Sequence, residues 1–159
     1  MSRRKKIPLL VTLFGLGLVV TSLVNMVCLL DYNYYHYIFS FLPGQLVIAR
    51  YILSWFLLVL GFLSGLGILR LDNNLRKVAI GIFTFTALAV YWKYPYYAVK
   101  NHAAYLDQVF KNARVLPPYA PGFSSLAANT VVILCAIDIV FSLCFIYYFT
   151  RQRIKILFG

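Results

Sequence analysis

Glutamate is absent from this chain of 159 residues, and its only acids are Asp31, Asp72, Asp107 and Asp138. They form no carboxylate pair of the kind that acid–base hydrolysis uses. Charge of either sign is scarce. Asp, Glu, Lys and Arg make up 12% of the residues, against about 25% in a soluble domain. With 62% hydrophobic residues and a mean hydropathy of +0.81, a water-soluble fold is excluded, because a small domain keeps too much surface to hide that apolar mass. There are three cysteines, Cys28, Cys135 and Cys144, in no CxxC, zinc or haem-attachment spacing. Cys135 and Cys144 point to nearly opposite sides of one predicted helix, and Cys28 belongs at a different depth, so all three read as small buried thiols. No Ser-His-Asp or Cys-His arrangement is present. His36 and His102 fall in or near loops without ligand spacing, so the sequence specifies no metal and leaves any cofactor unknown.

What the chain does have is long apolar runs. A helix crosses the hydrocarbon core with about 20 such residues. Four stretches qualify: 7–30, 46–69, 75–97 and 126–150. In the third, the strictly uncharged part is short, so Arg76, Lys77 and Lys93 are expected to snorkel to the interfaces. The runs are continuous rather than alternating, which disfavours a β-barrel. The first run is too long for a signal-peptide core and no small-x-small cleavage site follows it, so it reads as an uncleaved span. The expectation is an all-α polytopic membrane protein: a single domain over residues 1–159, forming a four-helix transmembrane bundle with outer loops 31–45 and 98–125.

The net charge of +11 does not point to nucleic acid, because the cations stand at the ends of the apolar runs. Arg3, Arg4, Lys5, Lys6, Arg70, Arg76, Lys77, Arg151, Arg153 and Lys155 fall on one side in three short segments. Arg50, Lys93, Lys100, Lys111 and Arg114 are spread over the other. The denser side is expected to be cytoplasmic, with both termini inside. The expected location is a cell membrane, the bacterial inner membrane. Arg70 to Lys77 makes a short polar turn, so spans two and three should form a tight hairpin. In the second outer loop, Ala103, Leu106, Val109, Phe110 and Ala113 share a helical face, with Lys100, Asp107, Lys111 and Arg114 away from it. This predicts an outer-face amphipathic helix with Asn101 as N-cap. Pro117-Pro118 and Pro121-Gly122 should end it.

Few residues stand out as functional. Asp138 lies near the middle of span four, where an acid costs roughly 2.5–3.5 kcal/mol to insert. The readings are a proton- or cation-handling site, a pairing point for a basic residue on a partner subunit, or a protonated acid hydrogen-bonded to a neighbouring helix. Arg50 lies about 12 Å away in depth and is expected to snorkel outward. Asn25, Thr21, Ser22, Thr84 and Thr86 are other possible partners of Asp138. Gly61, Ser64 and Gly65 form a small-residue motif that lets helix backbones approach closely, within the bundle or between copies. Tyr32, Tyr34, Tyr35, Tyr37, Trp92, Tyr94, Tyr96 and Tyr97 gather at predicted interfaces, as an aromatic belt or an outer binding surface. The segment from Leu63 to Ala79 resembles a hairpin of small four-span bacterial membrane proteins, a likeness that implies no activity. The expected partners are the lipid bilayer and a membrane-protein subunit or a second copy, not nucleic acid. Two functional classes follow: a non-enzymatic accessory or oligomerising subunit, or a small transporter or ion-handling protein that uses Asp138.

Overall fold

The computed structural model describes residues 7–90, 94–113 and 127–159. Among them the chain forms seven α-helices, a final 3-10 turn and no strand. The helices are α1 (Leu9–Leu29), α2 (Tyr32–Ile38), α3 (Gly44–Leu69), α4 (Asn73–Leu88), α5 (Tyr96–Asn112), α6 (Ala127–Thr150) and α7 (Gln152–Lys155), followed by the 3-10 turn Ile156–Phe158. Prolines fall where helices begin: Pro8, Pro43 and Pro95 stand immediately before α1, α3 and α5. There the missing N–H costs nothing.

Three helices are long and apolar enough to cross a membrane, over Leu9–Leu29, Gly44–Leu69 and Asn129–Thr150. Their outward faces are apolar as well. Leu13, Val20 and Val24 on α1, Ile52, Phe56 and Val59 on α3, and Ile133, Ile137 and Val140 on α6 are all exposed. In water each such side chain would forfeit about 1.5–3 kcal/mol of available burial; against lipid tails it forfeits nothing. This is a helical, membrane-embedded protein. The stretch expected as a third span, 75–97, is divided differently. Helix α4 has 16 residues, about 24 Å at the usual rise, and Pro95 starts α5 at Tyr96.

Helices α1, α3, α4 and α6 pack in that order, each antiparallel to the last. The α1–α3 seam is built from small residues. A Cβ on Gly65 would stand 2.9 Å from the Gly15 carbonyl oxygen and 3.0 Å from the Val19 nitrogen, both backbone atoms. A Cβ on Gly61 would stand 2.8 Å from Ser22 Oγ. Only glycine permits this approach. On its other side α1 meets α6 through rings. Phe14 lies 5.3 Å from Phe145, edge to face, and 5.7 Å from both Phe141 and Phe149. Phe83 of α4 stacks on Phe145 at 4.0 Å.

The turn between α3 and α4 is tight. Asp72 N–H donates to the Gly67 carbonyl at 2.8 Å and Leu71 N–H to that of Ile68 at 3.1 Å, the double bond of a Schellman helix stop. Leu71 holds the left-handed position at φ 59°, where glycine is usual, and packs on the core below. The Asp72 carboxylate then caps α4, accepting from the N–H groups of Asn74 at 2.8 Å and Leu75 at 3.0 Å.

Arg76 does not snorkel. It is buried and its guanidinium donates to the Phe149 carbonyl at 2.6 Å and to Asn73 Oδ1 at 2.7 Å. Phe149 lies in the last turn of α6, whose carbonyls lack helical partners and carry partial negative charge. A cation from α4 therefore closes the end of α6. Beyond Thr150 the chain turns back, and Ile154 and Phe158 enter the same core.

Candidate functional site

At the opposite end, α2 and α5 lie together over the start of α3 and the end of α1. Asp31 begins α2 by accepting from the Tyr34 N–H at 2.9 Å. Helix α2 is short and carries Tyr32, Tyr34, Tyr35, His36 and Tyr37, so its rings spread around all sides. Tyr35 turns inward with Phe39, their rings 4.7 Å apart, and Tyr51 of α3 meets both Tyr35 and Tyr32 at 5.1 Å. The Tyr51 hydroxyl donates to the Leu29 carbonyl at 2.9 Å, so α1, α2 and α3 are tied at this level.

Tyr34 turns the other way, toward α5. Its hydroxyl pairs with His102 Nδ1, and its ring lies 5.0 Å from that of Tyr105. Burial is the main reason that the Tyr34 phenol is pushed up to about 12. Burial also lowers the His102 imidazole below its ordinary value and raises the Tyr35 phenol. A neutral His102 can accept the Tyr34 O–H at Nδ1; a protonated one cannot. Asn101 does not start α5, as the sequence led one to expect. It lies in the helix and donates to the Ile38 carbonyl at 3.0 Å, closing the end of α2. Asp107, expected away from the apolar face, is buried with Ala103 and Ala98. Tyr96 and Tyr97 sit in the first turn of α5, with Tyr97 5.6 Å from Phe41. Tyr94 is half-buried just before it. Tyr32, Tyr37, Phe41, Tyr97 and Tyr105 are exposed. Trp92, Arg114, Pro117, Pro118, Pro121 and Gly122 lie outside the described residues.

Arg50 also departs from expectation. It is buried and its guanidinium lies over the Phe39 ring, 4.2 Å from the centroid. Ser54 Oγ donates to the Arg50 carbonyl at 2.8 Å and stands 3.4 Å from the Tyr35 hydroxyl. A cation and a phenol thus share the space under α2, stabilised by the ring face.

Asp138 is half-buried on α6, one helical turn from buried Ser142. The other groups considered for it are engaged within their own helices. Asn25 Nδ2 donates to the Thr21 carbonyl at 2.7 Å, Thr21 Oγ1 to that of Gly17 at 2.7 Å, Thr84 to Ile80 at 2.8 Å and Thr86 to Ile82 at 2.7 Å. Ser22 faces Gly61. Gly61, Ser64 and Gly65 are all buried on α3, and both glycines abut α1 within the same chain.

Sequence reading sent Arg76 to the interface and passed over Tyr51, Tyr105 and the role of His102. Tyr105 and His102 are three residues apart on one helix, a spacing that places them side by side. That signal was available. The partner of Arg76 is 73 residues away, and no local pattern marks it.

Among the described residues no group of three or more His, Cys, Asp or Glu side chains could hold a metal ion. No family model matches the chain, and no curated protein or solved structure matches it.

Proposed function

We propose that the protein is a four-span membrane subunit without catalytic activity of its own, which uses the aromatic surface formed by α2 and α5 to meet a partner in the membrane. In this reading α1, α3, α4 and α6 are the four crossings, α5 is the outer-face amphipathic helix, and both termini are cytoplasmic. The lysine and arginine bias supports that orientation; the bacterial inner membrane is the location proposed. The observation that carries the reading is the cap itself. Tyr34, His102 and Asn101 lock α2 to α5, while Tyr37, Tyr97 and Tyr105 are exposed around them. Such rings bring large contact area with few rotors to order, which is why Tyr is enriched at binding surfaces. Because Gly61 and Gly65 are engaged by α1, a second copy or another subunit meets the cap rather than the glycine face.

Isolation from native membranes in mild detergent tests this. A stoichiometric second subunit, or a defined homo-oligomer, should be present, and should be lost on Tyr37→Ala with Tyr105→Ala while the helical content stays unchanged. A lone monomer, or a complex indifferent to those substitutions, overturns it.

A second reading, proton or cation handling by Asp138, is favoured by one feature. Ser142 Oγ, one turn away on α6, is buried without a hydrogen-bond partner among the described residues, a place where a water or proton donor would be held. Asp138→Asn separates the two readings. The subunit role survives it, because an amide still hydrogen-bonds; a proton-coupled flux in reconstituted vesicles would disappear.

A further inference from the structure

The end of the molecule that carries α7 has a feature that neither the cap nor Asp138 explains. Helix α6 ends at Thr150, and the chain bends at Arg151 so that Ile154 and Phe158 turn into the core. The same bend leaves Arg151, Arg153 and Lys155 exposed. Asp72, the acid in the described turns at this end, serves as the cap of α4. Arg151 is not merely adrift in solvent. Its guanidinium lies over the Tyr147 ring, 4.4 Å from the centroid, and donates to the Tyr147 hydroxyl.

Tyr147 heads a helical stripe. Counting back along α6, Cys144, Val140 and Ala136 fall three, seven and eleven residues away, all on one face. On and beside that face, Ala136, Ile137, Val140, Phe141 and Cys144 line a shallow, widely open apolar groove on the surface of α6. From Tyr147 to Ala136 the rise is about 16 Å at 1.5 Å per residue. Half of a bilayer's hydrocarbon core is about 15 Å. The groove itself occupies the stretch from Ala136 to Cys144, about 12 Å. The same face continues past it to Tyr147, whose phenol holds the Arg151 guanidinium, with Arg153 and Lys155 following in sequence.

We propose that this stripe of α6 is a binding site for one anionic phospholipid, its phosphate on Arg151 and Tyr147 and an acyl chain in the groove below. A phosphate oxygen accepts from the Arg151 guanidinium and the Tyr147 O–H, and Arg153 and Lys155 add long-range attraction. The apolar groove directly under the cation selects a lipid over a free phosphate, which has no tail to fill it. The site rests on the reading that this end of the molecule lies at a membrane surface.

The test uses the full chain, delipidated in mild detergent, with retention of added lipid read by native mass spectrometry. Three probes are compared: phosphatidylglycerol, phosphatidylcholine with the same chains, and soluble glycerol phosphate. Both headgroups offer a phosphate oxygen, but the choline ammonium of phosphatidylcholine is repelled by the Arg151 cation. Phosphatidylglycerol keeps its net negative charge, so it should be retained about tenfold better. Arg151→Gln with Tyr147→Phe should abolish that preference. Val140→Trp, which fills the groove, should weaken retention of both lipids. Arg151, Tyr147 and Val140 are exposed, so the fold does not depend on them; unchanged helical circular dichroism checks this. Equal retention of the two lipids by the native protein, or a preference that survives the double substitution, overturns the proposal. So does glycerol phosphate displacing the lipid at equal concentration. Extraction of the protein from membranes by alkaline carbonate is measured separately. Release there overturns the membrane reading itself, whereas firm membrane retention without lipid preference overturns only this site.

Discussion

Helix α1 is held on its two sides by opposite means, and the difference separates what a membrane protein can gain by close approach from what it gains by filling space. Against α3 it presents Gly15 and Ser22 to Gly65 and Gly61, and the backbones nearly touch. Against α6 it presents one ring, Phe14, which bridges a wider gap to Phe141, Phe145 and Phe149. Lipid tails are as apolar as either surface, so the usual gain from burying apolar area is missing on both sides. What remains is packing. The small-residue seam obtains it by backbone proximity and tolerates no added atom. The aromatic seam obtains it by volume and tolerates none removed.

The largest effect should come from breaking the first seam at its least yielding point. Gly65→Leu would drive a side chain into the Gly15 carbonyl and the Val19 nitrogen, neither of which can move without shifting α1. We expect a loss of about 3 kcal/mol or more, read by denaturant titration in detergent. Gly15→Ala sharpens the same point. Its new Cβ meets the Leu69 side chain at 2.8 Å, which can rotate away, and the Gly65 carbonyl oxygen at the longer distance of 3.2 Å, so the loss should fall to about 1 kcal/mol. Equal losses at the two glycines would mean that backbone proximity does not govern the seam.

The aromatic seam breaks in the other direction. Phe145→Ala should cost on the order of 2 kcal/mol, because in lipid the cavity left behind counts while the transfer part of the usual cost does not. Phe145→Leu should recover much of it. A similar comparison can be made between the two ends. Arg76→Gln removes a charged donor from the Phe149 carbonyl and should cost about 1.5–3 kcal/mol, whereas Asn101→Ala removes a neutral one from the end of α2 and should cost about 1 kcal/mol.

The smallest effect is that of pH on the α2–α5 contact. Burial lowers the His102 pKa in the folded protein, so the unfolded chain binds the proton more readily. The stability this contributes is fully present above the ordinary histidine value of about 6.5 and is lost as pH falls below it. Thermal unfolding between pH 7.5 and 5 should show a small downward slope that His102→Gln removes.

Three of the four apolar stretches were legible to within a few residues, because length and unbroken hydropathy suffice where no competing signal intrudes. The third matches as far as Leu88, where α4 ends. Residues 91–93 lie outside the described residues, and Pro95 begins a new helix at Tyr96, where the tyrosines on either side look the same whether they end one helix or start the next. The small-residue motif on α3 was visible, but its partner was not assigned, although Gly15 and Ser22 stand two helical turns apart on α1 and could have been matched to it. Arg50 and Arg76 were read as cations bound for the interface. Arg50 instead lies over the Phe39 ring, eleven residues earlier but across the turn at Pro43-Gly44. Arg76 donates to the Phe149 carbonyl, 73 residues away, which no local window contains.

The central claim is that the chain crosses a bilayer an even number of times with α2 outside and α7 inside. Single cysteines placed at Asn33 and Gln152, both exposed, in a chain otherwise free of cysteine would test it with a membrane-impermeant maleimide. Asn33→Cys should react in intact cells and Gln152→Cys only after the cells are opened. Reaction of Gln152→Cys in intact cells would contradict the account.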